Sequence, residues 1–210
     1  MTRANDSSPV RRFSIQRIEN GSLERAMDVV AAEEPLEIRL RYWFKDVAVC
    51  DSIAVTMRTP GQDCELTAGF LLSEGIVRSR GEIVEIRPLG AAPSNEVVAE
   101  LAKSVDVERW KLARNTVVSA SCGICGKRTR EAIANEYPER ARADVRLPAG
   151  LIESLPELLR DRQPGFLQTG GLHAAALVNA DGRLEASFED IGRHNALDKL
   201  LGDCLLGERT

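Results

Sequence analysis

Two thiols three positions apart, in Cys122-Gly123-Ile124-Cys125, are the residues of this chain best suited to chemistry. Thiol chemistry needs a thiolate. A Cys-x-x-Cys loop that runs into a helix lowers thiol pKa, because backbone N–H groups and the helix dipole favour negative charge. Lys127 and Arg128 add positive charge just downstream. Gly123 and Gly126 carry no Cβ to obstruct an approach to the sulfurs.

Three functions use such a loop: carrying a sulfur atom, exchanging dithiol for disulfide, and binding metal. Spacing alone does not separate them. A closed zinc site needs four ligands, whereas the sequence has no second Cys pair and only two histidines, His173 and His194. A thioredoxin-like use wants the motif at an early strand-to-helix junction, and this one lies beyond the middle of the chain. Zinc nucleobase deaminases join Cys-x-x-Cys to His-x-Glu, where the Glu moves protons. Here His173-Ala174-Ala175 follows the cysteines and lacks the carboxylate, which argues against deamination but leaves a deaminase-like scaffold open. The remaining cysteines, Cys50, Cys64 and Cys204, stand alone and read as small buried hydrophobes.

Both histidines sit inside glycine-containing motifs, TGGLHAAAL and EDIGRHNALDK. Gly170, Gly171 and Gly192 permit close backbone approach, and Arg193, His194 and Lys199 offer donors to a phosphorylated or nucleotide-bearing ligand. Glu189 and Asp190 could hydrogen-bond a base or sugar, or else cap and pair with the helix that follows. Neither motif is a P-loop or a complete dinucleotide fingerprint.

The elements that must position these residues read as a mixture of strands and helices. Leu36 to Phe44 alternates as a strand, and Ser52 to Met57 is a second. A turn at Thr59-Pro60-Gly61 leads into a helix from Gln62-Asp63 to Gly75. Further strands are expected at Glu82–Arg87, Glu96–Leu101 and Asn115–Ser119, with a helix over Lys127–Glu136 directly after the cysteine loop. Pro148 to Arg160 reads as a helix that Pro156 would end or kink. Ala174–Val178 and Arg183–Phe188 suit a hairpin around Asp181-Gly182, followed by a helix over Ala196–Leu201. Residues 1–34 are weakly patterned and read as a partly flexible lead-in, leaving 35–210 as one domain. The order implies an α/β or α+β sandwich.

Composition narrows the class. The chain has 210 residues, 43% hydrophobic and 29% charged, enough to bury a sizeable core. No apolar run approaches the roughly 18 residues that span a bilayer, and the N-terminus lacks the apolar stretch of a secretory signal, so the expected compartment is the cytoplasm. A net charge of -4 gives no simple electrostatic case for nucleic acid. The expected partners are proteins or small molecules, with no membrane.

Four strings in one order, TMRTPGQDCELTAGFLLSEGIV, SCGICGK, FLQTGGLHAAAL and EDIGRHNALDKLLG, resemble the FdhD family of formate dehydrogenase accessory sulfurtransferases. The resemblance runs from about residue 34 to about residue 202. It implies a cytidine-deaminase-like mixed sheet with flanking helices and a homodimer. It also implies a sulfur carrier that receives persulfide sulfur from a cysteine desulfurase and passes it to molybdenum cofactor, bis-molybdopterin guanine dinucleotide, for formate dehydrogenase. On this resemblance Cys122 carries the persulfide and Cys125 assists. No metal is required. The cofactor, or GDP as its mimic, binds as substrate near Gly170, Gly171, His173, Asp190, Gly192, Arg193, His194 and Lys199. Family members extend several tens of residues beyond EDIGRHNALDK with a Ser-Gly-Arg motif, so a C-terminally short form of the domain is expected here.

Overall fold

The computed structural model describes residues 8–91, 94–107, 116–118 and 146–208, the last strand of the central sheet by its backbone alone. Cys122, Cys125 and the helix expected over 127–136 lie outside the described residues. The architecture is α+β. A five-stranded mixed sheet has the order β5-β6-β3-β4-β7, made of Glu34–Phe44 (β3), Val47–Arg58 (β4), Ile83–Pro88 (β5), Glu96–Leu101 (β6) and Thr116–Val118 (β7). β3 pairs antiparallel with β4 and parallel with β6, while β7 runs parallel to β4.

The alternation seen in sequence sets the core. Leu36, Ile38, Leu40 and Tyr42 of β3 are essentially inaccessible, because period-two side chains share one face of the sheet. That face packs on helix α1, Asp63–Ser73, through Leu66, Ala68 and Leu71. α1 is buried nearly all round because a second helix, α4 (Arg193–Leu206), lies against it. The contact is unusually close. A Cβ at Gly69 would stand 1.8 Å from the Asp198 carbonyl oxygen, and one at Gly202 the same distance from that of Glu65. Only glycine at both positions lets the two backbones touch.

The expected hairpin is present as His173–Val178 (β8) and Leu184–Asp190 (β9), paired antiparallel. Helix α2, Ala149–Arg160, runs through Pro156 without ending there. Its residue Ile152, the natural acceptor for the N–H that proline lacks, is 54% exposed. A short helix, α3 (Pro164–Thr169), was not foreseen.

The largest departure is at the N-terminus. Val10–Glu19 (β1) and Ser22–Ala31 (β2) form a regular hairpin with ten residues in each strand, where the sequence suggested a partly flexible lead-in. Asn20 and Gly21, at φ 51° and 79°, supply the tight turn that matches strand twist. The alternation is weak because both faces of the ribbon are largely exposed, with Ile18, Leu23 and Met27 each more than 60% accessible. The ribbon is tied to the sheet by a backbone bond from Ala32 N–H to the Pro9 carbonyl and by the ion pair of Arg11 with Glu34.

Candidate functional site

The C-terminal end of β4, the turn into α1, the end of β9 and the first turns of α4 converge on one buried carboxylate. Asp190, fully buried at the end of β9, accepts four hydrogen bonds. Its Oδ2 takes the Thr59 backbone N–H at 3.1 Å and the Lys199 ammonium at 2.8 Å. Its Oδ1 takes the Gly192 N–H at 2.9 Å and the Asn195 amide at 3.0 Å.

Lys199 is equally buried, and its Nζ donates also to the carbonyls of Thr59 at 3.1 Å and Glu189 at 3.3 Å. All three ammonium protons are thereby used inside the chain. Asn195 completes the arrangement, donating to the Met57 carbonyl at 2.7 Å while the Thr56 hydroxyl donates to its Oδ1 at 3.3 Å. Ile191 N–H donates to Thr59 Oγ1 at 3.0 Å. A buried charge pair is tolerated only when its remaining donors and acceptors are satisfied, and here they are.

Two expectations are corrected by this geometry. Lys199 is not a surface donor waiting for phosphate; it is consumed by Asp190 and two carbonyls. Asp190 likewise has no free lone pair for a base or sugar. Glu189 caps a different helix from the one that follows it, since its two oxygens accept the Gly165 and Phe166 N–H groups at 2.9 and 2.7 Å, at the start of α3.

The other motif residues surround this lock. Gly192 is the buried residue just before α4, Arg193 is exposed, and His194 is half-buried in the first turn. Gly170 ends α3 at φ 65°, where glycine avoids the Cβ clash of the left-handed region. Gly171 and His173 are exposed, and His173 stands opposite Asp190 in the β8–β9 register. The fold thus brings His173, Gly192, Arg193 and His194 to the end of β8–β9 and the start of α4.

Sequence reasoning missed Thr59, Asn195 and Arg58. Arg58 is 1% exposed and grips Asp63 at 2.8 and 3.0 Å and Asn95 at 3.0 Å, fixing the turn between β4 and α1. The available clue was an arginine closing a strand five residues before an Asp at a helix start. Of the lone cysteines, Cys50 is exposed on β4 opposite Arg41, contrary to its reading as a buried hydrophobe. Cys64 is partly buried, and that burial raises its thiol pKa, helped by Glu65 and Asp63. It is poorly suited to supply a thiolate.

Fold and site together define an α+β protein in which a buried Asp–Lys lock presents a glycine- and histidine-bearing surface, in a chain that also carries a Cys-x-x-Cys motif. The FdhD/NarQ family model matches residues 31–210, and the chain belongs to that family. It is 36% identical over 200 residues to the sulfur carrier protein FdhD of Saccharolobus solfataricus, covering 95% of this chain and 71% of that one. The sulfur carrier protein FdhD of Streptomyces coelicolor is 40% identical over 202 residues, covering 92% and 69%. Among solved structures, a formate dehydrogenase accessory protein from Desulfotalea psychrophila is similar at a TM-score of 0.68 and 26% identity, over 97% of this chain and 71% of that one.

Proposed function

We propose that this protein is a sulfurtransferase that takes persulfide sulfur from a cysteine desulfurase onto Cys122 and passes it to molybdenum cofactor, supporting formate dehydrogenase. The observation that carries the reading is family membership over a span that includes both Cys122 and Cys125. The names of the relatives, sulfur carrier and formate dehydrogenase accessory protein, support the same direction.

The chemistry is thiol exchange. The Cys122 thiolate attacks the outer sulfur of the donor persulfide, a new S–S bond forms, and the donor leaves as its own thiolate. The acceptor supplies the electron pair that bonds the outer sulfur, the S–S bond breaks and Cys122 leaves as thiolate; the acceptor is thereby oxidised by two electrons, and no further oxidant or reductant is consumed. Cys125 assists relay. Gly170, Gly171, His173, Gly192, Arg193 and His194 form the ligand side for the guanine dinucleotide, with GDP as a mimic, while Asp190 and Lys199 hold that surface in place. The working form is a cytoplasmic homodimer.

Incubation with a desulfurase and cysteine should add the mass of one sulfur atom to Cys122 and none to a Cys122→Ala variant. Folded protein that gains no sulfur at Cys122 overturns the reading. So does restoration of formate dehydrogenase by Cys122→Ala, which would indicate a cofactor chaperone that handles no sulfur.

A further inference from the structure

Beside the Asp190 lock, a chain of hydrogen bonds runs from the end of β9 through α3 to the glycines that precede β8. Glu189 holds the Gly165 N–H at 2.9 Å. One turn on, the Thr169 hydroxyl donates to the Gly165 carbonyl at 2.8 Å and accepts the Gly171 N–H at 3.2 Å. A hydroxyl has one proton and two lone pairs, so the bond it donates fixes the rotor and aims an acceptor at Gly171. The Gly170 N–H goes to the Phe166 carbonyl at 2.7 Å. Gly170, Gly171 and His173 are exposed, while Leu172 between them is buried and pins the far end of the turn. A Cβ built on Gly171 would meet the Ala31 methyl at 3.8 Å, an ordinary contact, so the end of β2 borders the turn as well. Both glycine N–H groups are thus used inside the chain, and the turn is not an anion-binding nest. What it offers a ligand is bare backbone at close range.

We propose that Thr169 is a positioning residue for the ligand side: its hydroxyl sets the Gly170–Gly171 backbone, and with it the start of β8 at His173, against which a nucleotide packs. The nucleotide clause rests on the functional reading above; the Glu189–Gly165–Thr169–Gly171 relay does not. Threonines that bond back four residues along a helix are common. The forward bond to Gly171 is the one that acts on the turn. It is not needed to stop α3, because Gly170 at φ 65° and its bond to Phe166 already do so. A threonine kept only for its packing would be replaced equally well by valine, which has the same shape and no hydroxyl.

The test joins amide hydrogen exchange to GDP binding in the full chain. In the wild type the Gly171 amide, although exposed, should exchange several-fold more slowly than in an unstructured peptide of the same sequence. Thr169→Val should remove that protection, and Thr169→Ser, which keeps both bonds, should restore it. Gly171 exchange at the unstructured rate in the wild type, or at one rate in the wild type and Thr169→Val, overturns the relay. Thr169→Val should also bind GDP several-fold more weakly, and Thr169→Ser should bind it as the wild type does. Equal GDP affinity in the wild type and Thr169→Val overturns the positioning role and leaves the ligand-side reading standing. A wild type that binds no GDP overturns the ligand-side reading and the nucleotide clause with it, while the relay stands or falls on the Gly171 exchange. If Thr169→Val does not fold, the wild-type exchange rate decides the relay, and Glu189→Gln, which weakens it at its origin, carries the GDP comparison: unchanged affinity again overturns the positioning role.

Discussion

Lys199 Nζ lies 2.8 Å from Asp190 Oδ2 with both side chains wholly inaccessible, and this pair joins α4 to the end of β9 and, through Thr59, to the turn that starts α1. Removing one partner leaves the other buried and charged, which costs about 3 to 5 kcal/mol. Lys199→Met and Asp190→Asn should therefore each lower the urea midpoint strongly. The double variant should lose less than the sum of the two, because neither charge is then stranded. Additive losses in urea denaturation would mean that the pair is not coupled.

A second consequence lies at the helix crossing. Gly69→Ala and Gly202→Ala each place a methyl group 1.8 Å from a carbonyl oxygen, so the helices must separate, at a cost of about 3 kcal/mol or more. Gly150→Ala, in α2, meets nothing within 4 Å and should be neutral or stabilising by up to about 1 kcal/mol. Thermal unfolding of the three variants separates crossing geometry from a general intolerance of alanine.

These two positions also show what could be read in the sequence. The strand over Leu36–Phe44, the helix after Gln62 and the β8–β9 hairpin were legible because alternation, a turn residue and one buried face agreed. The N-terminal hairpin was not, although Asn20-Gly21 announced it, because a ribbon exposed on both faces has no apolar period to display. Lys199 looked like a phosphate donor because Arg193, His194 and Lys199 share a glycine motif. The burial that removes its donors depends on Thr59 and Glu189, partners 140 and 10 residues away. No local pattern encodes that. His173 and Gly192 come together in the fold because His173 opens β8 opposite Asp190 and Gly192 follows the end of β9.

Glu189 gives a prediction that separates capping from ligand binding. Its carboxylate accepts the Gly165 and Phe166 N–H groups, two of the donors that a helix start leaves unpaired. Glu189→Ala should cost about 1 to 2 kcal/mol and speed amide exchange within 164–169 selectively. Exchange that stays unchanged in α3 would show that the cap carries no stability.

Asp198 predicts the direction of a pH dependence. Burial raises its pKa to about 6 from 3.8; the Ser73 hydrogen bond and His194 lower it, and Glu74 adds to the rise. Between about pH 4 and pH 6 the folded state therefore holds a proton that the unfolded state has released, so stability falls as pH rises through this window. Above it the full cost of a buried negative charge is present; below about pH 4 the cost is absent. A shift of this size corresponds to at most about 3 kcal/mol. Asp198→Asn removes the titration, so its stability relative to the wild type should improve steadily from pH 4 to pH 7. Parallel curves for the two proteins in urea denaturation across that range would show that Asp198 titrates alike in the folded and unfolded chains.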